Sequence, residues 1–244
     1  MRQGGVLSPY LFALYIDSIF DRVKRCNVGC NLKWFCLSII LYADDILLLA
    51  PTVSSLQRLL DICEVELAWL DMSINVKKSS CLRVGPRYNS LCSNLTTLDG
   101  REIMWSSQVR YLGVYLVSSK ALSCNYDLTK KSFYRAFNAI YGKVGRSASV
   151  DVVIELFKTK CMPILLYGLN ACPVNTRQLK SLNHVVISCG RKIFNVNSFE
   201  IAAECLKMFG VSDVAEAVAT RKDRFVNRYA LNSSVVCEIC AICS

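Results

Sequence analysis

The chain has 244 residues, of which 53% are hydrophobic, and a formal net charge of +10. No stretch of about 18 or more apolar residues is free of charged side chains, which excludes an ordinary membrane-spanning helix. The first residues do not form a secretory leader, so we expect an intracellular protein whose 14 cysteines are reduced. The excess of Lys and Arg indicates a polyanionic partner or an acidic membrane surface.

The chain opens with a glycine pair that leads into a predicted helix. Ser8 suits the N-cap and Pro9 the first helical position, and apolar residues follow at helical spacing. Asp17 and Asp21 fall on the solvent face of this helix. Four residues before it are candidates for contact with a flat or phosphate-bearing ligand: Arg2, Gln3, Gly4 and Gly5. Taken alone, a glycine pair before a helix is usually just a turn.

Residues 34–51 (WFCLSIILYADDILLLAP) place two adjacent aspartates, Asp44 and Asp45, between two apolar runs. This pattern predicts a hairpin of two largely buried strands with the acids at the bend. Two neighbouring anions repel each other and lose hydration against such strands, so a cation is expected to meet them. A pair of magnesium ions, which bind carboxylates and phosphates together, is the simplest candidate. The alternative is a solvated Asp-Asp turn on a surface hairpin.

Residues 54–70 have the spacing of an amphipathic helix, and Ser54 and Gln57 fit a capping box at its start. Residues 73–79 then form a turn that carries Lys78, which on charge alone is an ordinary solvated lysine. Asp99-Gly100 predicts a hairpin, and residues 109–116 predict a strand that is broken at Gly113.

Beyond about residue 120 the pattern becomes helical and basic. Aromatic residues, Phe133 and Phe137 among them, alternate there with cations that are candidates for contact with a nucleic-acid backbone: Lys130, Lys131, Arg135 and Lys143. The alternative for the aromatics is that they form the core of the helical region. A helix over 150–162 is expected to stop before Pro163. Further helices are predicted over 178–188, 200–209 and 214–231.

A cysteine triplet near the end of the chain is a weaker candidate site. Cys237, Cys240 and Cys243 have the spacing of zinc ligands, but three ligands at one terminus lack a partner motif. His184, the single histidine, lies far away in the sequence on a predicted helix. Zinc binding therefore remains a secondary alternative.

Several of these motifs, in this order, resemble a reverse transcriptase of LINE-type (non-LTR) retrotransposons. Residues 2–9 (RQGGVLSP) resemble the motif that positions template and nucleotide, and residues 42–45 (YADD) resemble the acidic polymerase motif. Asn75-x-x-Lys78-Ser79 matches the motif after the intervening helix, and residues 165–170 (LLYGLN) resemble the region beyond the palm. Tyr111, Leu112 and Gly113 look like the primer-grip hairpin.

The resemblance implies an α+β fold in which a partial polymerase palm, an antiparallel sheet with packed helices, precedes a mostly helical region. The palm would cover residues 1–118, a helical thumb-like region 119–175 and a helical C-terminal extension 176–244. The reaction would be primer extension on an RNA template, with a DNA primer and deoxynucleoside triphosphates as substrates and two Mg²⁺ ions as cofactors. No membrane partner is expected.

Individual roles also follow from the resemblance. Asp44 and Asp45 would be the metal ligands, and Lys78 a general acid that protonates the departing pyrophosphate. The floor under template, primer and nucleotide would be formed by residues of two motifs: Arg2, Gln3, Gly4, Gly5, Ser8, Pro9, Tyr42 and Ala43.

The family has a further catalytic aspartate upstream of the RQGG motif, and this sequence shows no substitute for it. The resemblance therefore predicts a piece of a polyprotein that binds magnesium poorly and polymerises little when isolated. The competing hypothesis is a non-catalytic nucleic-acid-binding remnant of a retroelement. A structural protein with a chance acidic hairpin is the third reading.

Overall fold

The structure is a computed structural model that describes residues 7–32, 35–145 and 147–230. Its described residues form two compact units. The first contains the chain up to Arg83 together with Arg87–Ser107, and the second contains Val84–Pro86 and the chain from Gln108 onward. Among the described residues, no helix combines the length and apolar character that crossing a bilayer requires.

The first unit has two helices and three short hairpins. Its elements are α1 (Ser8–Arg25), β1 (Asn31–Leu32), β2 (Phe35–Cys36), β3 (Ile39–Tyr42), β4 (Asp45–Leu48), α2 (Val53–Trp69), β5 (Leu95–Thr96) and β6 (Glu102–Ile103). Each hairpin pairs consecutive antiparallel strands. The hairpins predicted around the twin aspartates and around Asp99-Gly100 are therefore confirmed.

One small core holds the β3–β4 hairpin on α1 and α2. Ile19 of α1 and Leu59 of α2 are fully buried, and Ile39 of β3 is 3% exposed in the same cluster. An ion pair of 3.1 Å between Arg22 Nε and Glu66 Oε1 also joins the two helices. The hairpin is half-buried rather than largely buried, because the helices cover one face and leave Tyr42 61% exposed on the other.

The start of α2 differs from its predicted capping box. The N-cap is Thr52, whose Oγ1 accepts a hydrogen bond of 3.1 Å from the Ser55 backbone N–H. Gln57 is drawn away from the cap because its side chain bonds the backbone of Thr96 in both directions, at 2.6 and 2.9 Å. Gln57 therefore fixes α2 to β5.

The first helix likewise begins at Ser8 with Leu7 as N-cap, one residue earlier than predicted.

The second unit is a three-stranded antiparallel sheet followed by helices. Its elements are β7 (Gln108–Tyr111), β8 (Val114–Val117), β9 (Ser123–Asn125), α3 (Asp127–Val144), α4 (Val150–Leu156), a π-helical turn (Phe157–Cys161), α5 (Met162–Leu165), α6 (Thr176–Phe194), α7 (Phe199–Met208) and α8 (Val214–Ala230). The strand order is β7-β8-β9. The strand predicted to break at Gly113 is thus two strands of a hairpin.

Aromatic side chains form the centre of the helical core. Phe133 is fully buried and Phe137 is 3% exposed, and both meet the buried Phe157 ring edge-on at 5.6 and 5.9 Å. Such packing contributes beyond the burial of apolar area. The alternative that these two aromatics are core residues is therefore correct, and neither is available to stack on a base.

The helix over 150–162 was predicted to stop before Pro163, and this prediction is wrong. The chain passes from α4 through the π-helical turn into α5, and Pro163 lies in the first turn of α5. Proline is tolerated there because its missing N–H would have no partner within the new helix.

The fold class is α+β as predicted, but the strands do not join into one sheet. The described residues contain four separate antiparallel sheets, three with two strands and one with three. The boundary between the compact units lies at Ser107/Gln108, so the hairpin of β7 and β8 belongs to the helical unit. The division into palm, thumb-like region and extension remains a prediction.

Candidate active site

The twin aspartates lie at the tip of the β3–β4 hairpin. Tyr42 pairs with Asp45 across the strands, which leaves Ala43 and Asp44 as a two-residue loop. Ala43 has a φ of +50°, in the left-handed region that only glycine enters without strain. The bend is thus tight, with Asp44 in the loop and Asp45 as the first residue of β4.

The strand register decides which way these side chains face. Successive residues of a strand alternate between the faces of the sheet, and paired residues share a face. Ile39 and its partner Leu48 pack into the cluster formed with α1 and α2. Tyr42 and Asp45 therefore share the opposite, outer face. Asp44 and Asp45 are both exposed.

The two carboxylates have no cationic partner among the described residues. Ion pairs in that part of the chain join Arg22 to Glu66, Arg101 to Asp99 and Lys130 to Asp127, and none includes the hairpin tip. Adjacent exposed carboxylates suit a hydrated magnesium ion, which in proteins takes one or two carboxylates and completes its shell with water and phosphate. The described residues contain no cluster of three or more potential metal ligands. The donor set thus fits a metal that is shared with a phosphate-bearing substrate.

The structure describes only the last part of the opening motif, residues 7–9. Arg2, Gln3, Gly4 and Gly5 lie outside the described residues. The backbones of Ser8 and Pro9 form the first turn of α1. Asp17 and Asp21 are exposed on α1, as the helical spacing predicts.

Lys78 lies on a turn of the first unit that Asn75 closes. The Lys78 backbone N–H donates to the Asn75 carbonyl oxygen at 3.0 Å, and the Ser79 N–H donates to the same oxygen at 2.9 Å. The asparagine and the residues after it thus form one local structural motif. Val76 in this turn packs against the cluster that also receives Leu48 of β4. The Lys78 side chain is exposed.

The primer-grip candidate is the β7–β8 hairpin of the second unit. Leu112 and Gly113 have φ values of +46° and +82°, the pair of positive angles that a tight type I′ hairpin turn requires. Tyr167 donates a hydrogen bond of 3.0 Å from its hydroxyl to the Leu112 carbonyl oxygen. A Cβ on Gly113 would lie 3.0 Å from Cε1 of the same ring.

Tyr167 is a residue whose role the sequence did not reveal. It lies in the tract resembling the region beyond the palm, 55 residues from its partner, and no local pattern predicts so distant a bond. Its hydroxyl and ring hold the tip of the hairpin, so it is a positioning residue for the primer-grip candidate.

The four candidate cations of α3 are not equivalent. Lys130 is half-buried and pairs with Asp127 at 3.1 Å, so much of its charge is already neutralised. Lys131, Arg135 and Lys143 are exposed and take part in none of the ion pairs found in the described ranges. These three remain candidates for contact with a phosphate backbone.

Comparison with known proteins finds one family model and two relatives that match this chain. Residues 1–116 match the family model described as "Reverse transcriptase (RNA-dependent DNA polymerase)". The "Transposon TX1 uncharacterized 149 kDa protein" of Xenopus laevis is 30% identical over 164 residues, which are 63% of this chain and 12% of that protein. The "Retrovirus-related Pol polyprotein from type-1 retrotransposable element R2" of Popillia japonica is 24% identical over 204 residues, 81% of this chain and 32% of that protein.

The chain thus spans about an eighth of one relative's length and about a third of the other's. The family match covers the hairpin with the twin aspartates, the Lys78 turn and the β7–β8 hairpin tip. Residues 1–116, just under half of the chain, are thus similar to reverse transcriptases, and the two relatives carry the names of a transposon and a retrotransposable element.

Proposed function

We propose that this chain carries part of the nucleotidyl-transfer site of an RNA-directed DNA polymerase. The observation that carries the proposal is the pair of exposed carboxylates, which no cation of the described residues pairs with, on a tight hairpin held by two helices. In the proposed reaction a primer 3′-hydroxyl attacks the α-phosphate of a deoxynucleoside triphosphate on an RNA template. A bond forms between the primer 3′-oxygen and the α-phosphorus, and the bond from that phosphorus to the departing pyrophosphate breaks.

Reverse transcriptases use divalent metal ions, and we propose magnesium here. Bound at Asp44 and Asp45, two such ions would stabilise the charge that develops on the attacking and leaving oxygens. The protein's own contribution is to fix the carboxylates. Asp45 is fixed by its pairing with Tyr42, and Asp44 by the two-residue loop. The packing of Ile39 against the helices then holds the hairpin in place.

Other residues are assigned to substrate binding and proton transfer. Tyr42, on the outer face beside Asp45, and Ala43 would form a floor under primer and nucleotide. The exposed ammonium of Lys78 would give a proton to the departing pyrophosphate. The hairpin tip at Tyr111, Leu112 and Gly113 would hold the primer strand. Template and nucleotide would pack on the opening motif: Arg2, Gln3, Gly4, Gly5, Ser8 and Pro9.

The regions follow from this assignment. Residues 1–118 would be the palm, residues 119–175 a thumb-like region and residues 176–244 an extension. Exposed Lys131, Arg135 and Lys143 would contact the phosphate backbone, as would Lys130 where the strand displaces its pairing with Asp127. The described residues offer two adjacent carboxylates and no third ligand, so we expect the chain alone to extend primers poorly.

Primer extension on an RNA template tests the catalytic assignment. The chain is assayed alone and then joined to the upstream segment of a LINE-type reverse transcriptase, with magnesium present. Asp44→Asn keeps the size of the side chain and removes its charge. We expect it to lower extension by the fused protein by more than the roughly 10- to 100-fold typical of losing an outer-shell partner. Asp17→Asn, an exposed acid on α1, is the matched control and should leave extension unchanged. Equal extension by the Asp44 variant and the control would remove Asp44 from the site.

A second candidate function is nucleic-acid binding without catalysis. The unpaired cations of α3 favour it, because they need no metal site to act on a phosphate backbone. The test is a salt titration of RNA affinity. Each phosphate contact steepens the logarithmic dependence of the binding constant on salt by about 0.7 for a single strand. A flat dependence would contradict this function.

A further inference from the structure

A row of mostly basic residues follows the outer face of α6. Arg177, Lys180, His184, Ser188 and Arg191 recur at intervals of three and four residues, which places them on one side of a helix. The buried residues of α6 lie on the other side: Leu182, Val185, Val186, Cys189, Gly190 and Ile193. We name this outer row the α6 stripe. Arg177, Lys180 and His184 are exposed.

The charges of α6 only partly suit the helix itself, because Arg191 and Lys192 lie in the last turn, where the helix dipole favours cations. Its 19 residues include four Lys or Arg and no Asp or Glu, so no acid of the helix can neutralise the α6 stripe. The first turn contains Arg177 and no acid, although the positive end of the helix dipole disfavours a cation there. No ion pair found in the described ranges involves α6. The unbalanced positive charge therefore indicates an external anion.

Arg191 supplies an independent observation. Its guanidinium carbon lies 4.4 Å from the centroid of the Phe199 ring, which is also stacked on the His184 ring at 4.9 Å. Its Nε is buried and has no hydrogen-bond partner among the described residues. A buried donor without an acceptor is costly, and guanidinium binds phosphate oxygens in a planar fork. A phosphate that draws the half-buried Arg191 side chain outward along the α6 stripe would supply the missing acceptor.

The flanks of the α6 stripe limit what can bind there. On one side, Tyr134 of α3 lies beside Ser188. Lys131 is three residues from Tyr134 and exposed, so a cation of α3 lies on a face adjoining the α6 stripe. On the other side lies Phe199 of α7. From Arg177 to Arg191 the axis is about 21 Å long at 1.5 Å per residue. For one strand of a B-form duplex, at 3.4 Å of helix axis per phosphate, that length covers about six phosphates.

We propose that the α6 stripe is a binding surface for the phosphodiester backbone of a nucleic-acid strand, separate from the cations assigned on α3. It shares with the proposed function only the polynucleotide partner, and it requires neither Asp44 nor a metal ion. Backbone phosphates are common to RNA and DNA, so both strands are tested.

Fluorescence anisotropy of the full 244-residue chain tests the proposal. The probes are fluorescein-labelled oligo(U) and oligo(dT) of 20 nucleotides, in EDTA and without nucleotides, across a range of KCl concentrations. Arg177→Gln/Lys180→Gln changes two exposed side chains and is expected to weaken binding roughly tenfold or more at 50 mM salt. The logarithmic salt dependence should also become shallower by about 1.4 for the loss of two contacts with a single strand.

The matched control is Lys24→Gln/Arg25→Gln, which removes the same charge from exposed positions at the end of α1. It should change affinity by less than about twofold, since only non-specific attraction is lost. Circular dichroism verifies that both variants are folded. Unchanged affinity and salt dependence of the α6 variant on both probes would overturn the proposal, as would an equal loss in the control. The assay contains neither metal nor nucleotide, so failure here leaves the catalytic assignment to be decided by primer extension.

Discussion

Gly190→Ala is a sharp test of how closely α6 and α7 pack. Alanine in place of glycine stabilises a helix by up to about 1 kcal/mol through intrinsic propensity. At position 190, however, a new Cβ would lie 2.6 Å from Cδ1 of Leu206 and 2.9 Å from its Cγ. Leu206 is 3% exposed, and the contact reaches its branch point as well as its end. The side chain therefore has little room to move.

Overpacking of this kind costs about 1–3 kcal/mol, which exceeds the gain in propensity. We expect Gly190→Ala to lower the free energy of unfolding by about 1–2 kcal/mol. Gly142→Ala is the matched variant, since Gly142 is also helical and a Cβ there would meet nothing within 4 Å. It should raise the free energy of unfolding by about 0.5–1 kcal/mol.

Urea unfolding followed by far-ultraviolet circular dichroism measures both variants. Their difference isolates the contact with Leu206, because the chemical change is identical. If Gly190→Ala proves as stable as Gly142→Ala, Leu206 yields without cost and the close packing of α6 on α7 is refuted.

Two further predictions concern the first unit and the buried thiols. Ala43→Gly should leave the free energy of unfolding unchanged or raise it by up to about 1 kcal/mol, whereas Ala43→Val should lower it by about 1–2 kcal/mol, because a β-branched residue is strained at positive φ. Thermal unfolding ranks the three proteins, and a valine variant as stable as wild type would contradict the strained bend. Burial raises the pKa of Cys63 and of Cys189 from 9.0 to about 12, with smaller contributions from Glu66 and Cys161 respectively. Both thiols stay neutral in the folded chain while the unfolded chain ionises them, so their contribution to stability is complete below pH 9 and is lost as pH rises towards 12. Urea unfolding at pH 8 and pH 10.5 measures this loss, which should be smaller in Cys63→Ala/Cys189→Ala; an equal loss in both proteins would assign it to other groups.

The acidic hairpin is predictable because its signal is local. Two apolar runs flank Asp44 and Asp45, and two acids at a join between strands can only be accommodated at a bend. The degree of burial is not local, since it depends on how many faces α1 and α2 cover. For the same reason the separation of the strands into four sheets could not be read from the order of the motifs.

The cap of α2 shows where local rules end. Residues 52–57 (TVSSLQ) offer three hydroxyl side chains, and the capping-box rule selects Ser54 because Gln57 lies three residues later. In the structure Gln57 bonds Thr96, 39 residues away, and Thr52 becomes the cap. A single long-range contact thus shifts a helix start that sequence spacing alone would place later.

At Pro163 the general rule for proline fails because the residue does not lie in the interior of a helix. Proline breaks a helix from its interior, yet here the preceding π-helical turn restarts the hydrogen-bond pattern. The sequence of that turn, FKTKC, has no residue that marks the change. The role of Tyr167 could not be predicted from the sequence either, because its hydrogen-bond partner Leu112 is distant along the chain.

The stacking of His184 on Phe199 gives this chain a built-in spectroscopic reporter. His184 is the only histidine in the 244 residues, so its imidazole protons give one set of resonances that needs no assignment. Ring currents from Phe199, 4.9 Å away, move those resonances whenever the two rings change their separation. A one-dimensional proton spectrum can therefore follow events on this face of α6 without any label.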